Sequence, residues 1–140
     1  TNKGRVIACT PVAVPSLNAD AEAKRFAPDR DALTVYVVRR NCGDGRNFVK
    51  VYPDGGAGVD TLPDTMVRFK FKPGSHSVAF EFDGKRQSTT VEGRAGETRF
   101  LRFDGMVWAW KSTYEWVVES ETATRERALK ARLVADVAVL

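Results

Sequence analysis

Cysteine and histidine are scarce in this chain: Cys9, Cys42 and His76 are the only such residues among 140. Two distant thiols and one imidazole do not make the four ligands of a metal centre, so no metal or other cofactor is expected. No serine or cysteine is spaced to pair with His76, and no acid–base constellation can be assembled, so the sequence does not read as an enzyme. No apolar run approaches the roughly 18 residues that a membrane-crossing helix needs. Neither sign of charge dominates, with 22 basic against 18 acidic residues and a net charge of +4. The two signs are interleaved along the chain, which excludes the one-sided basic footprint of a nucleic-acid binder. No internal repeat is visible.

What is present is alternation. Val67, Phe69 and Phe71 alternate with Arg68, Lys70 and Lys72, and Val78, Phe80 and Phe82 alternate with Ser77, Ala79 and Glu81. Period-two spacing places one set of side chains on a buried sheet face and the charged set in water. Leu33–Val38 is rich in β-branched and aromatic residues and apolar on both faces, which predicts a central strand. Phe48–Tyr52 predicts another, and further strands are expected near 65–72, 77–83, 86–92, 97–103, 106–111 and 113–119. Asp83-Gly84 and Asp104-Gly105 carry the chemistry of two-residue hairpin turns, since both central positions tolerate positive φ. Apolar residues make up 43% and charged residues 29%, the balance of a folded chain. The expected fold is mostly β: a single antiparallel β-sandwich of about seven to nine strands over residues 31–120.

The two ends differ from this middle. Pro11, Pro15 and Pro28 fall among alanines in residues 1–30, which predicts an extended arm with a helical turn or two near Ala21–Phe26. Residues 121–140 contain no glycine or proline, and Leu129, Leu133, Val134 and Val137 recur at helical spacing. An amphipathic C-terminal helix over about 122–135 is expected, packed on the sandwich or on a partner.

The cysteines leave three readings open. A Cys9–Cys42 disulfide, implying an oxidising compartment, ranks first. Two unrelated buried thiols rank second. Third, Val6-Ile7-Ala8-Cys9 looks like a bacterial lipobox, in which Cys9 would carry a lipid anchor to the membrane; Lys3 and Arg5 interrupt the apolar stretch that should precede it.

Several motifs occur in a definite order. Phe26-Ala27-Pro28 leads into Ala32-Leu33-Thr34-Val35-Tyr36-Val37-Val38-Arg39, then Val49-Lys50-Val51-Tyr52-Pro53-Asp54-Gly55, then Phe71-Lys72-Pro73-Gly74-Ser75-His76, then Gly93-Arg94-Ala95-Gly96-Glu97-Thr98-Arg99-Phe100. This order resembles the PEGA-like β-sandwich domains and, more closely, a family of small bacterial envelope lipoproteins of unknown function. The resemblance spans residues 26–135. It implies an immunoglobulin- or transthyretin-like sandwich in the periplasm or at the outer membrane, and it brings no catalytic residues.

Candidate binding residues follow from chemistry. Met106, Trp108 and Trp110 share one strand face, and Tyr114, Trp116 and Val118 another. Pointing inward they are core; exposed, Trp108, Trp110 and Trp116 form a platform for sugar or peptide. Arg39, Arg40, Arg46 and Lys50 gather positive charge near one loop, suited to an anionic contact. Gly55–Leu62 matches a single copy of a calcium-binding nonapeptide, which needs stacked copies to hold an ion and reads as a loop. His76, where a turn becomes a strand, reads as structural. The expected function is therefore non-catalytic: an envelope accessory or assembly protein that binds other envelope proteins through a sheet edge, loops or termini. The alternative is a glycan- or peptidoglycan-binding module using the tryptophans.

Overall fold

A computed structural model describes residues 14–40, 47–108 and 111–139. Within them the chain runs α1 (Leu17–Ala23), β1 (Leu33–Arg39), β2 (Val49–Pro53), β3 (Val59–Thr61), β4 (Thr65–Phe71), β5 (Gly74–Phe82), β6 (Lys85–Gly93), β7 (Thr98–Trp108), β8 (Lys111–Val117), α2 (Glu121–Ala128) and β9 (Arg132–Val139). The strands form two sheets, one of five in the order β8-β7-β1-β4-β9 and one of four in the order β3-β2-β5-β6. The mostly-β expectation therefore holds.

One apolar cluster contains residues of both sheets: Leu33, Val35, Val37, Val67, Phe69 and Phe71 from the larger, Val49, Val51, Val78 and Phe80 from the smaller. The period-two pattern produces it, because alternate residues of each strand point the same way. The other face of the five-stranded sheet is covered too. Tyr36, Val38, Met66 and Leu133 pack there with Ala23, the last residue of α1, with Phe26 just after it, and with Ala128 and Ala131 from α2 and its end. Phe26 meets Tyr36 and Phe100 edge-on, at 5.0 and 5.2 Å between ring centroids. This second layer explains why β1 is apolar on both faces.

Four expectations are corrected. The five-stranded sheet is mixed rather than antiparallel: β1 pairs parallel with β7, and β4 parallel with β9. Parallel neighbours require a crossover, here the excursion through the second sheet, and turn motifs report only local reversals. Arg68, expected in water from the alternation, is instead buried and bonded to Asp136, and Pro73-Gly74 carries the chain from β4 in one sheet to β5 in the other. Asp104-Gly105 is not a turn: β7 continues through it, with Asp104 opposite Glu115 and Gly105 opposite Tyr114. The Asp104 carboxylate is engaged by the buried Arg102 guanidinium, Oδ1 accepting from Nε at 2.8 Å, so its polarity marks an ion pair. Asp83-Gly84 is the hairpin turn expected, with φ of 53° and 74°.

The fourth correction concerns the two ends. The helix expected over 122–135 stops at Ala128, and 132–139 is the edge strand β9. Leu133, Val134 and Val137 fit either period in so short a run. The free edge of β4, lined by Met66, Val67 and Phe69, decides for the strand. Ser120 caps α2 by accepting the Ala123 N–H at 3.2 Å. In the expected extended arm, 17–23 is helical, capped by Ser16, and Ala23 is fully buried.

Asp20 of α1 fastens β9. Its Oδ1 accepts the Leu133 N–H at 2.7 Å, and its carboxylate pairs with Lys24 at 3.0 Å and Arg132 at 3.6 Å. Burial pushes this carboxyl up, but the Leu133 N–H and the two cations outweigh it and hold it below the ordinary value of 3.8. The stability it contributes is thus present above 3.8 and lost as pH falls through its lower folded value. Asp20→Asn should lower the urea midpoint at neutral pH, with the gap to wild type narrowing as pH falls below 3.8. Parallel curves across that range would refute the role.

Candidate functional site

Among the described residues, the sequence-derived binding residues lie in different surroundings. Arg39 ends β1 on the face shared with the second sheet and is buried. Its Nη1 donates to the Thr61 carbonyl at 2.5 Å and its Nη2 to the Tyr114 hydroxyl at 3.3 Å. Asn47 Nδ2 also donates to Tyr114, at 3.1 Å, and to Ser112 Oγ at 2.9 Å. Arg39 is therefore a bolt joining β1, β3 and β8. Arg40 is exposed, and strand alternation turns it to the helix-covered side. Lys50 pairs with Asp60 at 3.8 Å. Arg46, Trp110, Cys9 and Cys42 lie outside the described residues, as does the Trp108 side chain.

Trp116 is half-buried, its ring 5.2 Å from Phe80 and 5.7 Å from Phe103. Its indole N–H donates to the Gln87 carbonyl at 3.2 Å. That ring is spent on the core and on a bond to β6. His76 stacks on Phe71 at 4.5 Å, with Nδ1 2.9 Å from Asp54 Oδ2 and Nε2 2.6 Å from the Lys72 carbonyl. It locks the crossover between sheets, and hydrogen bonding from the imidazole, then from the Ser77 N–H, holds Asp54 below the usual carboxylate range. Among the described residues, no group of three or more His, Cys, Asp or Glu side chains could hold a metal ion.

The sheet edges carry the contrast that matters for recognition. A sheet edge presents unpaired N–H and C=O groups, ready for another strand unless blocked. On one side β6 and β8 are laced together: Gln87 Nε2 donates to the Tyr114 carbonyl at 2.7 Å, and Trp116 returns a bond to the Gln87 carbonyl. On the other side β3 is only three residues long. The exception is β9. Its start is capped, since Leu133 N–H is taken by Asp20 and the Leu133 carbonyl by Arg132 Nη1 at 2.7 Å. Beyond it β9 continues to Val139 as the outermost strand of its sheet. Asp136 is its sole charge there, and that carboxylate is drawn onto Arg68 at 2.6 Å. Among the described residues, Val137, Ala138 and Val139 thus form an uncharged margin with no strand beyond them.

This edge was not legible in the sequence, because 132–139 reads equally as helix. No protein-family model matches the chain, and no curated protein matches it.

Proposed function

We propose that this chain is a non-catalytic cell-envelope accessory protein that binds other envelope proteins by strand addition along β9. The single observation that carries the proposal is the margin at Val137–Val139, open among the described residues, beside edges that are laced, capped or very short. In strand addition the backbone ladder supplies affinity and alternate side chains supply selectivity. An uncharged margin suits an extended, β-branched segment of the partner. The two sheets, sharing one apolar cluster, are read as an immunoglobulin- or transthyretin-like sandwich. The periplasmic or outer-membrane location rests on the motif order that resembles the envelope lipoproteins.

The test places a photoreactive amino acid at position 138, whose side chain is exposed. Irradiation of intact envelopes should yield an adduct heavier than the 15.5 kDa chain. The same residue at Lys85 on β6 should yield none, and Ala138→Lys should abolish co-sedimentation with the partner identified from the adduct. Recovery of the chain from solubilised envelopes only as a lone 15.5 kDa species, without an adduct at 138, would refute the reading.

A further inference from the structure

A pocket of about 290 Å³ lies where α2 and its end meet the last residues of β1. Its apolar surface comes from Val38, Ala123 and Ala131, of which Val38 and Ala131 are almost fully buried. Four cationic residues line the pocket: Arg39, whose guanidinium is bonded to Thr61 and Tyr114, Arg40 from the end of β1, and Arg127 and Lys130 from the α2 side. Known small-molecule pockets span roughly 300–1,000 Å³, so this one admits a small ligand.

Among the described residues these charges are not all paired. Among the described residues Arg40 and Lys130 make no ion pair, and Arg127 reaches Glu119 only at 3.7 Å. Glu119 is occupied more closely by Arg102 at 2.6 Å and by the Thr124 hydroxyl at 2.8 Å. The negative end of α2 does not offset them, because the carbonyls of Arg125, Arg127 and Ala128 already accept the N–H groups of Leu129, Lys130 and Ala131. Two acids, Asp64 and Glu126, also line the pocket. Both would repel a bare anion, but Glu126 can accept hydrogen bonds from hydroxyl groups.

We infer that this pocket binds a small polyanion bearing hydroxyl groups, such as a hydroxy-polycarboxylate or a sugar phosphate. Arg40, Arg127 and Lys130 hold its anionic groups, Glu126 accepts from its hydroxyls, and Val38, Ala123 and Ala131 carry its carbon skeleton. The site is separate from the β9 margin and stands independently of strand addition.

Calorimetric titration of the full chain at low ionic strength tests this, with citrate in one arm, glucose 6-phosphate in another, and sulfate at matched ionic strength as the screening control. At least one organic anion should bind saturably, one to one. Which arm saturates separates the carboxylate from the phosphate source. The double variant Arg40→Gln/Lys130→Gln should weaken binding about tenfold or more, as the loss of two charge-assisted contacts requires. Both side chains are exposed, so this variant keeps the fold, which circular dichroism verifies. Lys85→Gln, on a distant edge, should change nothing. Absence of saturable binding in both arms, equal binding by the double variant, or sulfate binding equally well would each overturn the inference.

Discussion

Replacing Phe69 with alanine is expected to lower stability by about 3–5 kcal/mol, the range for truncating a fully enclosed aromatic. Phe69 is 0% exposed. It sits opposite Val35 of β1 on one side and Val137 of β9 on the other, within the cluster common to both sheets. Strands flank it on both sides, so its surroundings have little freedom to collapse into the vacated space. Denaturant titration should show a lower midpoint with an unchanged slope, the signature of lost stability rather than a changed unfolded state. Phe48→Ala, at a ring that is 43% exposed, should stay within roughly 0.5 kcal/mol of wild type. A loss below about 1 kcal/mol at Phe69 would mean that the shared core is not where the stability resides.

The second large effect comes from a charge. Arg68 projects from β4 on the helix-covered face and is only 7% exposed. Asp136 on β9 takes it in two-pronged fashion, from Nε at 3.0 Å and Nη2 at 2.6 Å, and Glu22 of α1 lies 3.1 Å from Nη1. The Asp136 hydrogen bonds, against the penalty of burial, raise the guanidinium pKa above its ordinary value, so the side chain stays charged throughout the accessible pH range. Removing an acid strands a buried cation; removing the cation releases two carboxylates that already reach water. Asp136→Ala should therefore cost about 2–4 kcal/mol, whereas Arg68→Met, which keeps the volume, should cost about 1 kcal/mol or less. Unfolding of both variants at neutral pH decides it, and the reverse order would refute the account. Alternation alone places Arg68 in water, since the layer made by α1 and α2 cannot be read from β4.

The same limit explains the rest of what was and was not legible. The strands at Leu33–Arg39, Val49–Pro53 and Thr65–Phe71 are readable because their side-chain period is local. The hairpin at Asp83-Gly84 is readable because positive φ at two successive residues has a local cost that few residue pairs avoid. Asp104-Gly105 carries the same letters and makes no turn, because a long-range pairing with Glu115 and Tyr114 holds the strand straight. The candidate sites fared less well than the strands. Arg39 and Arg40 are adjacent in sequence and both line the pocket beside α2, yet the Arg39 guanidinium is bonded in the interior to Thr61 and Tyr114 while Arg40 is exposed. Arg127 and Lys130 become pocket residues only where α2 meets the end of β1.

What this sequence determined by itself is a β-rich chain with an apolar interior, since alternating side chains and turn residues act over two to four positions. What only the tertiary structure decided is the order of the strands, their parallel pairings, the conversion of 132–139 from helix to sheet edge, and hence the margin and the pocket. Those depend on which distant surface is left unsatisfied when the segment arrives, and the free edge of β4 is such a surface.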